Sequence, residues 1–347
     1  MTTESAVANA PEQETSPAGN PTTRPSYVNE FWGGLASMLV ALPSAIAFGV
    51  TIYAPLGSTF AAQGAIAGIL GTTALGIVAA SLGGTRRLIT APSAPAVAIL
   101  SAFAIEMIQR GVAAQAIVPM MALIAVACGL LQIAFGLIRL GRLIKYMPYP
   151  VVSGYLSGVG LVIIISQIPK FLGTPRGTEF WHAVLSPSLW RWQSLVIGGV
   201  TIAVMLIAPK VTKIVPAAIL SLLSGMLAYF AMAFRDQSLR VLVDNRLVIG
   251  PLASSNVGFL EATLSRWHAM RVLDISQLNL LIYPALTLAV LLSIDTLKTC
   301  VVLDTLTRSR HDSDRELIGQ GLGNLASAAV GGVPGSGQMG ATLVNVS

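Results

Sequence analysis

Two features of this sequence carry chemistry. The first sits in the run LLIYPALTLAVLLSIDTLKTCVVLDTLTR, residues 280–308. Asp295, Lys298 and Thr299 fall at i, i+3 and i+4, so a helix puts them on one face. Charged side chains at membrane depth cost from about 2.5 kcal/mol upward and must face a cavity, a partner or each other. Two readings follow: a coupling-ion or substrate site, or a structural ion pair that hides both charges. The two are compatible.

The second feature is a pair of broken apolar stretches, GGTRRLITAPSAPAVAILSAFAIE at 83–106 and GGVPGSGQMGATLVNVS at 331–347. Pro92 and Pro95 bracket Ser93. Each proline lacks an N–H and pushes the residue before it out of the helical region. Leu88–Ala91 is therefore expected to be extended, with a helix beginning near Ser93. In the second stretch Gly331–Gly337 breaks regular helix, and a helix is expected to restart around Ser336–Gln338. Non-helical backbone at membrane depth is tolerated where it is buried in protein or lines a cavity. Two half-helix N-termini meeting at mid-membrane make a partly positive, N–H-lined site for an anion. The bland alternative is two ordinary kinked spans.

Nothing else points to catalysis. There is no GxSxG, P-loop, HExxH or CxxC pattern, so no enzyme is expected. His182, His268 and His311 are isolated in connections, and Cys128 and Cys300 lie inside apolar runs with no metal or disulfide spacing. Gln132, Ser153, Ser157, Ser166 and Gln167 read as helix-packing hydrogen bonds, and Gly154 with Gly158 as a close helix contact.

The elements that position these residues are membrane spans. Of 347 residues, 54% are hydrophobic and 10% charged, and the mean hydropathy is +0.74. That is more apolar surface than a soluble core hides, and lipid is its natural solvent. Apolar segments fall at about 30–50, 60–82, 95–109, 112–138, 149–170, 194–208, 214–234, 280–303, 316–331 and from 336 on. The net charge of +6 is spread in short clusters between spans, which reads as topology rather than a nucleic-acid face. Arg86 and Arg87, then Arg139, Arg142 and Lys145, then Lys210 and Lys213, and finally Arg308, Arg310 and Arg315 mark alternate connections as cytoplasmic. The intervening short connections at 51–59 and about 110–112 carry one basic residue between them, Arg110. This puts the N-terminus on the cytoplasmic side; a bacterial inner (plasma) membrane is the expected location. Residues 1–29, rich in Thr, Ser, Pro and Glu, are expected to form a disordered cytoplasmic tail, and 235–279 an exterior loop.

Three stretches resemble the SulP (sulfate permease) family of anion transporters, and within it the BicA-type bicarbonate transporters: FWGGLASMLVALPSAIAFGV at 31–50, GGTRRLITAPSAP at 83–95, and IDTLKTCVVLDTLTRSRHDSDRELIGQGLGNLASAAVGGVPGSGQMGATLVNVS at 294–347. The string ELIGQGLGN at 316–324 is the most specific part. The resemblance implies an all-α polytopic membrane protein with a seven-plus-seven inverted-repeat (UraA-like) transporter fold. Residues 30–234 then form the first repeat, spans 1–7. Residues 280–347 begin the second, spans 8–10, and leave it incomplete. A homodimer is implied, and a cytoplasmic STAS domain usually follows in the family.

The implied function is secondary transport of a small inorganic oxyanion, bicarbonate or sulfate, held between the half-helix N-termini of spans 3 and 10. Carried over residue by residue, the anion contacts Ser93 and the backbone near Gly337 and Gln338. A coupled sodium ion uses Asp295 and Thr299, with groups around Gly337–Met339. This chain departs from the pattern in three places, one being that its APSAP segment lacks the acidic residue that BicA-type chains carry before the first proline. Met339 stands where BicA-type chains offer a threonine hydroxyl, and a thioether is a poor ligand for a hard cation. Lys298 adds an ammonium one turn from Asp295, which could take the role of the sodium charge or abolish coupling. No other cofactor is expected. The alternative is a non-transporting or truncated membrane scaffold of the same fold.

Overall fold

In a computed structural model of the chain, the described residues are 27–146, 149–175, 178–211, 217–241, 245, 247–248 and 278–346. The expected tail therefore lies outside the described residues up to position 26, and so does most of the expected 235–279 loop, with His268. The helices are α1 (Tyr27–Tyr53), α2 (Ser58–Leu82), α3 (Ala94–Gln109), α4 (Ala114–Leu137), α5 (Tyr149–Leu172), α6 (Phe180–Leu185), α7 (Trp192–Val211), α8 (Ala217–Arg235), α9 (Leu278–Thr307), α10 (Ser313–Ala329) and α11 (Met339–Val346). Two three-residue strands, β1 (Thr90–Pro92) and β2 (Gly335–Gly337), precede α3 and α11.

Among the described residues, five stretches within α1, α2, α4, α7 and α9 are long and apolar enough to cross a bilayer, including Ala114–Leu137 and Asn279–Thr307. Helix α3 has 16 residues, or about 24 Å at 1.5 Å per residue. That falls short of the ~30 Å hydrocarbon core, so α3 starts inside the membrane, and the extended Thr90–Pro92 supplies the rest of the crossing.

The helices fall into two groups. Helix α10 lies between α2 and α4, α1 packs on α2, and α9 packs on α3 and α4. Their shared core buries Ile52, Leu100, Phe103, Met107, Ile117, Ile124, Leu288 and Leu292. The second group joins α7 to α8 and α5 to α6 and α7. It meets the first through limited contacts of α8 with α1 and of α5 with α3, and through Lys170 Nζ donating to Thr51 Oγ1 at 2.8 Å.

Among the described residues, Gly154 and Gly158 make no close helix contact of the kind their spacing suggests. Both are exposed on α5, and nothing described lies within 4 Å of where a Cβ would stand. The side chains of Ser153 and Ser166 lie outside the described residues.

Candidate functional site

The two broken stretches meet. Strand β1 pairs antiparallel with β2, with Thr90 opposite Gly337, Ala91 opposite Ser336 and Pro92 opposite Gly335. All six residues are buried. Because the pairing is antiparallel, α3 leaves one end of this ribbon and α11 the other. The last strand residues, Pro92 and Gly337, are thus offset by two positions, or about 7 Å along the ribbon. The approach needs glycine: a Cβ on Gly335 would lie 2.1 Å from the Ala91 carbonyl oxygen. Upstream, α10 ends through Gly331 in a left-handed turn (φ 76°), with the Gly332 amide donating to Ser327 O at 2.7 Å.

Helix α3 starts where the prolines direct. Ser93 is its N-cap residue, in extended conformation (φ −135°, ψ 162°), and Pro95 sits in the first turn, where a missing N–H costs no helical bond. Ser93 makes no side-chain cap bond. Its Oγ is buried without a hydrogen-bond partner. The second helix starts later than expected. Ser336 is in the strand, and α11 begins at Met339, because three residues of ladder hold the chain extended.

One expected contact needs correction. The Gly337 and Gln338 amides are not open to a ligand. Gly337 N donates to Thr296 Oγ1 at 3.0 Å, and Gln338 N donates to Ile89 O at 2.8 Å. The Gln338 side chain is engaged too, its Nε2 donating to Pro92 O. The amides left without helical acceptors by helix geometry are those of the first turns: Ala94 and Ala96 on α3, and Met339, Gly340 and Ala341 on α11.

The polar face of α9 lies against β2. Ser336 Oγ donates to Asp295 Oδ2 at 2.6 Å, and Lys298 Nζ donates to Asp295 Oδ1 at 2.7 Å. Thr299 Oγ1 lies 3.0 Å from both Gly337 O and Asp295 O. The structure thus brings Asp295, Lys298 and Thr299 to the strand that leads into α11. Met339 follows as the first residue of that helix.

A second clamp was not anticipated. Glu316, Gln320, Asn324 and Ser327 form one face of α10, and all four are buried. Glu316 Oε2 accepts from Gly84 N at 2.8 Å. Gln320 Nε2 donates to Thr90 Oγ1 at 2.7 Å and to Glu316 Oε1 at 2.9 Å. Asn324 Nδ2 donates to Gly335 O at 3.0 Å, and its Oδ1 accepts from Gly335 N at 2.8 Å. Ser327 Oγ donates to Val333 O at 2.8 Å. One helix face therefore supplies the partners that both interrupted spans have lost. Gln132 joins this network by accepting from Asn324 Nδ2 at 2.7 Å. The helical spacing of these residues was the available signal: they are polar groups four, four and three positions apart.

The described residues form a mostly helical membrane protein in which two interrupted spans are joined by a short buried ribbon, an arrangement consistent with the UraA-like transporter fold. The particular family follows from comparison: a model described as the Sulfate permease family matches residues 28–347, and the chain belongs to that family. It is 32% identical over 326 residues to the Bicarbonate transporter BicA of Picosynechococcus, covering 91% of this chain and 53% of that protein. It is 29% identical over 302 residues to the Putative sulfate transporter YvdB of Bacillus subtilis, covering 84% of this chain and 53% of the other. The chain thus spans about half the length of the curated relatives it matches. Among solved structures, the transmembrane domain of a cyanobacterium bicarbonate transporter BicA superposes with a TM-score of 0.73 at 31% identity. The match covers 92% of this chain and 76% of that domain.

Proposed function

We propose that this chain forms the anion-binding part of a secondary transporter for small inorganic oxyanions, bicarbonate or sulfate. The observation that carries the reading is the unpartnered, buried Ser93 Oγ at the start of α3, set beside a ribbon that brings a second helix N-terminus close. Buried polar atoms are almost always hydrogen-bonded, and a hydroxyl donor next to free helix amides suits an anion's oxygens. The anion binds to Ser93 Oγ and the first-turn amides of α3 and α11. The names of the relatives, a bicarbonate and a putative sulfate transporter, agree with that chemistry. The limited contact between the two helix groups supports an elevator-like or rocking movement of the site-bearing group against α5–α8.

By the positive-inside rule, the N-terminus and the Arg-rich connections face the cytoplasm of a bacterial inner membrane. The family resemblance adds a homodimer. Sodium coupling through Asp295 and Thr299 is the family-derived expectation, and the donor set around Asp295 argues against it.

The test is uptake of labelled bicarbonate and sulfate into liposomes containing the full-length protein. Saturable uptake of one or both is expected. Its absence for every small oxyanion overturns the reading. The scaffold alternative predicts that Ser93→Leu and Asp295→Asn leave cellular function untouched.

A further inference from the structure

We infer that Lys298 is the permanent counter-cation of Asp295, so that the anion site works without sodium. This rests on the transport reading above and concerns the charge balance of the same site.

A carboxylate buried in a membrane protein must be paired, solvated or neutralised. Asp295 is paired from within the chain at both oxygens. Oδ1 accepts from the Lys298 ammonium at 2.7 Å, and the two side chains are 16% and 6% exposed. Oδ2 accepts from Ser336 Oγ at 2.6 Å. A hard cation at this carboxylate needs several oxygen ligands. The two nearby hydroxyls are tied to β2 rather than turned toward Asp295's carboxylate: Thr299 Oγ1 donates to the Gly337 carbonyl, and Thr296 Oγ1 accepts from the Gly337 amide. Met339 offers sulfur at the turn where another hydroxyl would help. A sodium ion on Asp295 would also lie within a few ångströms of an ammonium, where like charges repel. The residues present do not fit a sodium site. They fit a tethered cation that reaches β2 through Asp295 and Ser336 and stays with that strand.

The test compares uptake in sodium and in N-methylglucamine media. Wild-type rates are expected to differ by less than about twofold. Lys298→Met is expected to lower sodium-free uptake about tenfold or more, because one partner of a buried ion pair is lost. In Lys298→Met combined with Met339→Thr, sodium is expected to restore part of that uptake. Because Lys298→Met leaves a buried carboxylate unpaired and risks misfolding, the wild-type protein is also titrated with sodium against potassium in detergent. Its melting temperature is expected to show no sodium-specific rise. Wild-type uptake that increases about tenfold with sodium, or a sodium-specific rise in melting temperature, overturns the inference. No saturable uptake in any medium overturns the transport reading instead, and the melting titration then decides the role of Lys298.

Discussion

Asn324 holds both backbone groups of Gly335, donating to its carbonyl at 3.0 Å and accepting from its amide at 2.8 Å. A residue on a regular helix thus replaces the ladder partner that a strand of three residues lacks on its outer side. Asn324→Leu removes both bonds and leaves two buried backbone groups unsatisfied. Each such group costs about 1–3 kcal/mol, so a loss of roughly 2 kcal/mol or more is expected in a reversible unfolding titration. A change below about 0.5 kcal/mol would show that the clamp is incidental.

Gly335 is the tightest point of the ribbon. An added methyl would sit 2.1 Å from Ala91 O, which is backbone and cannot swing aside. Gly335→Ala is expected to separate β1 from β2 and abolish uptake. Gly76→Ala is the matched control, since nothing lies within 4 Å of its would-be Cβ. It should leave uptake intact and gain a few tenths of a kcal/mol or more from helix propensity. Equal behaviour of the two variants would count against close approach as the reason for glycine at 335.

The spans and the two breaks were legible in the sequence because apolar length and proline placement act locally. TAPSAP alone puts the start of α3 within a residue of Ser93. The ribbon was not legible: three residues are too few to show the alternation of a strand, and their partner lies 245 positions or so away. For the same reason the sequence did not reveal that the Gly337 and Gln338 amides are taken by Thr296 and Ile89. The clamp on α10 was in view but unread. ELIGQGLGN stands out as a family string, while its physical content is the polar face Glu316, Gln320 and Asn324 interleaved with glycines. The glycines between them allow that closeness: a Cβ on Gly321 would lie 2.6 Å from Gly129 O on α4.

Helix α10 is capped by Asp312, whose carboxylate accepts from Asp314 N and Arg315 N, each at 3.1 Å. Asp312→Ala is expected to cost about 1 kcal/mol. The anion KM should stay unchanged, because the clamp residues Gln320 and Asn324 lie two and three turns further along. A stability loss accompanied by a large KM increase would mean that the clamp depends on the cap.

Ser93 separates the site from its scaffold most cleanly. Its Oγ is buried, yet it bonds nothing in the fold, so Ser93→Ala removes no described hydrogen bond. Unfolding stability is expected to stay within about 0.5 kcal/mol of wild type. Hydrogen bonds to charged groups contribute about 1.5–3 kcal/mol, so the KM for the anion is expected to rise about tenfold or more while kcat changes less. Ser93→Leu puts a bulkier apolar side chain at this buried position beside the α3 amides and is expected to abolish uptake, at an overpacking cost of about 1–3 kcal/mol. Unaltered KM in Ser93→Ala, measured in the same liposomes, would place the anion elsewhere along the ribbon. The α11 amides of Met339 and Gly340 would then be the groups to test next, by mutating each to proline and measuring anion KM again.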